Sequence, residues 1–355
     1  MSVRTPQNSD RTIVSGTFGT GIASRLLLAL LFFAGIPVFG IAQVRYTVNR
    51  PITTPVAKPI ATPVLEPDPD DFSDYSPHHT TPVCWETDYE YAVTMAKLSS
   101  RCLLIYLCAD SESEIPEELA ALPVVSACRK FDTIVLDDSS VRSGLCRYLP
   151  LKLPMDVKIT GNDGTATTIY SLPGFEHMVG HPGLIVIDFE HWDKPHYGEV
   201  VGILPFLRGV SPTVEQAETF LELPPGTLTQ RTLTYAVRTH PDNPLSADGE
   251  PAPIVVQMAT EHALYQAERN ILTHYNFGTR SYRAKEVLGE SGMPAEICAQ
   301  SQSGLGLFEG AISSMRAWRY SSAHWSIAKR FHRYYGYDMV RGKNGAWYAV
   351  GFFIN

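Results

Sequence analysis

The chain has 355 residues, 44% of them hydrophobic and 19% charged, which is enough for two folded domains. Its formal net charge of −8, with no run of Lys or Arg, excludes a nonspecific nucleic-acid binder, which needs a basic surface to displace counterions. The six cysteines (Cys84, Cys102, Cys108, Cys128, Cys146 and Cys298) show neither Cys-x-x-Cys nor metal-knuckle spacing, so no disulfide framework is expected.

The first 25 residues carry Arg4, Arg11 and Arg25 against one acid, Asp10, and lead into an uncharged stretch, Leu26 to Ala42. A basic start, an apolar stretch and small residues at Gly40 and Ala42 predict an export signal over 1–44, either cleaved after Ala42 or retained as a signal anchor. Both place the remainder outside the cytoplasm, and the second adds a membrane contact. Residues 45–83 contain "PITTPVAKPIATPVLEPDPDDF", Pro/Thr-rich and unable to bury a core, and read as an extended spacer.

The first folded unit is expected over 84–222. It begins with a helix in which Tyr89, Ala92, Val93, Ala96 and Lys97 follow 3-4 spacing, with Asp88 at its start. "RCLLIYLC" reads as a buried strand, "SESEIPEELAALPVVSACRKF" as largely helical, and "FDTIVLDD" as a second strand. "MDVKITGNDGTATTIY" reads as a hairpin, and "HPGLIVIDFE" and "YGEVVGILPF" as two further strands. A helix then starts at Ser211-Pro212, with Ser as cap and Pro at the first helical position.

This order, with "IYLCADSESEI" as a strand-then-turn and "GHPGLIVID" as a strand after His-Pro, resembles the thioredoxin fold over about 140 residues. The resemblance places Glu112 and Ile115 at the positions of the redox cysteine pair, makes Pro182 the family's cis-proline, and turns His181 toward the old active site. Thiol–disulfide exchange needs an attacking thiolate and a resolving thiol, and neither Glu112 nor Ile115 supplies one. Cys108, four positions before Glu112, reads as a packed core residue unless a positive or helix-start environment activates it. His181 reads as a solvent-facing remnant or a hydrogen-bonded turn residue. A degenerate redox site of Cys108, Glu112, Ile115, His181 and Pro182 is therefore expected to hold something rather than to shuttle electrons.

Residues 223–253 read as a connecting helix, capped by Thr227 or Thr229 and ended before Pro241, followed by a loop. The last unit, 254–355, opens with a long amphipathic helix. Its apolar stripe takes Val255, Met258, Ala259, His262, Ala263, Gln266 and Ala267, continued by Ile271. A short helix over "SYRAKEVLGESG", a helix over "LGLFEGAISSMRAWRY" and one capped by Ser321 or Ser322 follow. An Asn344-Gly345 turn closes an aromatic hairpin at the end of the chain.

Trp318-x-x-Ser321-x-x-His324, the closing "YGYDMVRGKNGAWYAVGFF" and "AEICAQS" resemble the CAP superfamily (cysteine-rich secretory, antigen 5 and pathogenesis-related proteins) over roughly 100 residues. The resemblance implies an α-β-α sandwich with a groove faced by two His and one or two acids that hold a divalent ion. Carried over, these are His324 and Glu296. The upstream His of the family falls on Thr279, with His274 the nearest substitute, and the Asn after the family's Glu is Ile297 here. Two imidazoles and a carboxylate suit zinc or a similar ion, and suit a hydrogen-bonded structural cluster equally. No nucleophile stands in a recognisable arrangement, so no catalytic residue is assigned.

The expected fold is α/β, a thioredoxin-like domain joined to a CAP-like α-β-α sandwich domain. The expected function is an exported, non-redox binding or scaffolding protein. Its ligand class is a lipid or an anionic envelope polymer facing the basic residues Arg316, Arg319, Lys329, Arg330, Arg333, Arg341 and Lys343. A metal-dependent hydrolase using His274, Glu296 and His324 is the first alternative, and a purely structural envelope protein the second.

Overall fold

The computed structural model describes residues 83–109, 122–160, 164–178 and 180–355, all within one compact unit spanning Asp74–Asn355. The signal or anchor segment, the spacer up to residue 82, Glu112 and Ile115 lie outside the described residues. The chain is α/β. Among the described residues no helix is long and apolar enough to cross a membrane.

The first sheet has the order β2-β1-β5-β6, formed by β1 (Leu103–Cys108), β2 (Leu149–Pro154), β5 (Gly183–Ile187) and β6 (Val200–Pro205). β2 runs parallel to β1; β5 runs antiparallel to both β1 and β6, so it alone opposes the other three. All six residues of β1 are buried, as a strand with helices on both faces requires. Their period-2 alternation splits them between two cores. Leu103, Ile105 and Leu107 join Ala92 and Ala96 of α1 (Tyr89–Ser99). Leu104, Tyr106 and Cys108 join Ala127 and Cys128 of α2 (Pro123–Lys130), Val141 and Leu145 of α3 (Ser139–Leu145), and Phe220 of α4 (Val214–Leu221). A small hairpin, β3 (Lys158–Thr160) with β4 (Ala166–Thr168), stands apart from this sheet.

Three local expectations fail here. "FDTIVLDD" is not a strand: Phe131–Val135 forms a π-helical turn that continues α2, with Leu136 N–H reaching back to Phe131 O. Phe131 and Val135 are buried and Ile134 is exposed, so the β-branched run follows a helical face rather than a sheet. The second strand is instead β2, whose Pro150 and Pro154 disguise it; Pro is tolerated because β2 is an edge strand. The cap of α4 is Thr213 with Gln216 in a reciprocal capping box, two residues beyond Ser211.

The second sheet is antiparallel, order β7-β9-β8, from β7 (Ala295–Gln300), β8 (Tyr334–Arg341) and β9 (Trp347–Ile354). Its central strand β9 is buried throughout. The long helix α6 (Pro253–Arg269) covers one face. Gly336 of β8 makes this approach possible, since a Cβ there would lie 2.5 Å from Val256 Cα. On the other face Trp318 of α8 (Leu307–Tyr320) and Trp325 of α9 (Ser322–Ala328) join Ile297, Tyr335, Tyr337 and Phe353 in one core. That core also contains Leu233 and Val237 of α5 (Leu228–Arg238) and continues into β1 and β5. The segment that reads as a connector thus supplies a helix packed between the two sheets.

Candidate functional site

The strand β7 alternates: Ile297 and Ala299 enter the core shared with α8, while Glu296 and Cys298 turn toward α6 and α7 (Phe277–Leu288). A carboxylate pointing into that layer needs partners, because burying an unpaired charge costs several kcal/mol. The Glu296 side chain is 1% exposed, and each of its oxygens has a partner. His274 Nδ1 donates to Oε1 at 2.8 Å, and an Arg280 guanidinium nitrogen donates to Oε2 at 2.7 Å. Arg280 comes from the first turn of α7 and is itself nearly buried.

The loop between α6 and α7 delivers His274. Helix α6 ends at Asn270 in the left-handed conformation, so Ile271 leaves the helix instead of extending its stripe. Two buried polar residues of that stripe then fasten the loop. His262 Nε2 donates to the Thr273 carbonyl at 2.6 Å, and Gln266 Oε1 accepts from Thr273 N–H at 3.0 Å. His262 is 2% exposed, and burial lowers its pKa against the opposing pull of Glu296. Cys298 Sγ lies 3.6 Å from His274 Nδ1, and burial, then the Glu296 charge, push its thiol well up, so it stays protonated.

His324, in the first turn of α9, brings its ring to 5.8 Å from that of His274, centroid to centroid. Its backbone N–H is capped by Ser321 Oγ, which gives Ser321 a structural task. Burial and then His274 lower the His324 pKa. The three residues predicted for the site therefore cluster, with His274 between the other two. His262, Gln266, Arg280 and Cys298 complete the cluster.

This set does not fit an ion held by His274, Glu296 and His324. Both Glu296 oxygens are engaged, one by a permanent guanidinium cation, and His262 Nε2 spends its hydrogen on a carbonyl. The Glu296 contact keeps the His274 proton on Nδ1 and the lone pair of the neutral ring on Nε2. Two imidazoles remain as donors, short of the three protein ligands of a catalytic zinc site. Beside His262 and Arg280 is a cavity of about 250 Å³ lined also by Met258, Glu261, Tyr265, Tyr275, Thr279 and Arg283, with Arg283 paired to Glu261 at 3.2 Å. Tyr275 stacks on Tyr265 at 5.0 Å and 9°, and Tyr265 stacks on His262, making an aromatic wall next to two arginines.

At the first sheet, Leu107 pairs with Gly183, so Cys108, the last residue of β1, lies beside Pro182, the residue just before β5. Cys108 is buried with its sulfur 3.6 Å from the Leu153 carbonyl. Pro182 is buried and its carbonyl accepts from Phe206 N–H; His181 is half-buried and its N–H donates to Met178 O. No disulfide joins any two of the six cysteines.

No protein-family model matches the chain, and no curated protein does. Among solved structures, an outer surface protein from Borrelia burgdorferi is similar at 21% identity, over 30% of this chain and 77% of that one, with a TM-score of 0.25. A score that low assigns neither fold nor function to this chain.

Proposed function

We propose that the chain is an exported, non-redox binding protein. It holds an amphipathic anionic ligand, a lipid headgroup or a unit of an anionic envelope polymer, in the cavity beside Glu296. The carrying observation is the full engagement of Glu296 by Arg280 and His274. It takes Glu296 out of use as a base, while Arg280 and Arg283, the latter paired with Glu261, line the cavity beside an aromatic wall. Export rests on the Leu26–Ala42 stretch.

Two features support the domain readings behind this. The first sheet has one strand, β5, opposed to three others, in the order a thioredoxin-like unit takes, and its Cys108 is packed in the core. The second sheet carries helices on both faces and draws His274, Glu296 and His324 together, as a CAP-like unit would.

The test measures binding of the full chain to vesicles of an anionic phospholipid, to vesicles of a neutral one, and to a soluble anionic polysaccharide. Saturable binding to one anionic probe, weakened at least tenfold by Tyr275→Ala and by Arg283→Gln, is expected. Binding indifferent to both changes overturns the proposal. So does hydrolytic or disulfide-reductase activity that disappears with His324→Ala or Cys108→Ser.

A further inference from the structure

A second cluster lies at the other end of the first sheet. Leu103, the first residue of β1, pairs with Ile187, the last of β5, so Cys102 and Asp188 meet just beyond the ladder. Asp188 is 1% exposed. Its Oδ1 accepts the backbone N–H groups of Glu190 (2.9 Å) and His191 (3.1 Å), and its carbonyl accepts Gly198 N–H. The loop 188–198 is thereby closed at both ends, and it returns two imidazoles to the carboxylate. His191 Nδ1 lies 3.1 and 3.2 Å from the two oxygens, and His196 Nε2 lies 3.2 Å from Oδ2. Cys102 Sγ is 3.6 Å from Asp188 Oδ1 and 3.6 Å from Glu190 Oε2.

Tetrahedral bonds of about 2.0–2.3 Å put ligand atoms that share one ion about 3.3–3.7 Å apart. The sulfur–oxygen spacing lies in that range, and the imidazole–carboxylate spacings are about 0.1–0.2 Å shorter than its lower end. The donor atoms of Cys102, Asp188 and His191 all lie within 4.8 Å of one another. An independent observation points the same way. His196 Nε2 is buried and has no hydrogen-bond partner among the described residues, despite its closeness to Asp188 Oδ2. Hydrogen bonding alone leaves that atom unsatisfied, whereas a cation between the imidazole and the carboxylate satisfies both.

We propose that Cys102, Asp188, His191 and His196 bind a divalent transition-metal ion of the zinc class. One sulfur, two imidazole nitrogens and a carboxylate that meets them through both of its oxygens are a donor set of that softness. The ion displaces the Cys102 thiol proton, which leaves to solvent, so one proton is released for each ion bound. The neutral His191 ring moves its hydrogen to Nε2 and offers Nδ1. A cleft of about 470 Å³ bordered by Cys102, Asp188, His191, Arg147 and Arg231 gives the ion its entry path. The site shares no residue with the Glu296 cluster, so the two proposals stand or fall separately.

The test titrates the full chain, stripped with a chelator, with Zn²⁺ and with Co²⁺. One ion per chain and a thiolate-to-cobalt charge-transfer band are expected. The double change His191→Ala with His196→Ala weakens binding by more than about 100-fold, beyond what loss of an outer partner costs. Cys102→Ser keeps a weaker site but removes the band. His274→Ala and His324→Ala leave both readouts unchanged. Circular dichroism of each ion-free variant separates ligand loss from unfolding, and the Cys102→Ser spectrum decides the matter if the double variant does not fold. No saturable binding, binding indifferent to the double change in a folded variant, or a cobalt complex without the thiolate band overturns the proposal.

Discussion

Replacing Arg280 with Met keeps an unbranched stem as far as the guanidinium and removes the charge, which makes it the sharpest probe of the cluster. In the native chain the guanidinium sits 2.7 Å from Glu296 Oε2, with the two side chains 10% and 1% exposed. Breaking a pair this deep leaves an uncompensated buried carboxylate, and such losses run to about 3–5 kcal/mol, far above the 0–1 kcal/mol of a surface pair. For a folded body of this size that lowers Tm by roughly 5–9 °C. Urea unfolding at neutral pH measures it. The decisive comparison is Arg280→Met with Glu296→Gln. If the loss comes from the stranded charge, the double variant recovers stability relative to Arg280→Met alone, and the coupling energy is at least about 1 kcal/mol. A loss below about 1 kcal/mol for Arg280→Met, or a double variant equal to the sum of the singles, refutes the claim that Arg280 is what keeps Glu296 buried.

Three other outcomes follow from the structure. His332 is buried, stacks on Phe353 at 4.4 Å and donates from Nε2 to Ile327 O. Burial lowers its pKa, Arg330 adds to this, and the Ile327 and Asn355 contacts oppose it. Its unfolded form takes up a proton first, so its contribution is complete above about pH 6.5 and is lost as pH falls through the folded value; His332→Gln should flatten the acid limb of a stability–pH curve by up to about 1.4 kcal/mol per pH unit. Gly336→Ala should cost about 1–3 kcal/mol in urea unfolding by forcing β8 off the Val256 backbone, whereas Gly278→Ala on α7, where a Cβ meets nothing within 4 Å, should gain about 0.5–1 kcal/mol. The full chain should not accelerate reduction of a disulfide-bonded reporter above the rate of added thiol, and a rate lost with Cys108→Ser would contradict the packing of that sulfur.

The parts of the fold that were legible in the sequence are those where period and end signals agree. The strand β1 is a short apolar run with helical patterns on both sides, α5 has Thr227 in place for a capping box, and the closing hairpin has its Asn-Gly turn. Where the two signals part, the reading fails. "FDTIVLDD" has the β-branched content of a strand, but Phe131 and Val135 fall one π turn apart on a buried face, and that burial outweighs the strand propensity of Thr133, Ile134 and Val135. β2 has the opposite problem. Its prolines argue against a strand, yet only one of its edges is paired within the sheet, and the missing donors cost little there.

The site divides along the same line. His274, Glu296 and His324 can be picked out because they sit in short motifs, and they do come together. What those motifs do not carry is the state of the carboxylate, which depends on Arg280, 16 positions before it on helix α7. A trace of the rest was present in the amphipathic stripe itself. His262 and Gln266 stand four apart on a face otherwise built of Val, Met and Ala, and a buried polar pair at that spacing must find partners. They find them in Thr273, next to His274. The stripe therefore does two jobs: its apolar members seat α6 on the sheet, and its two polar members fasten the loop that brings His274 to Glu296. Shortening either polar side chain should unfasten His274 while leaving the helix seated, so the candidate site should loosen before the fold does.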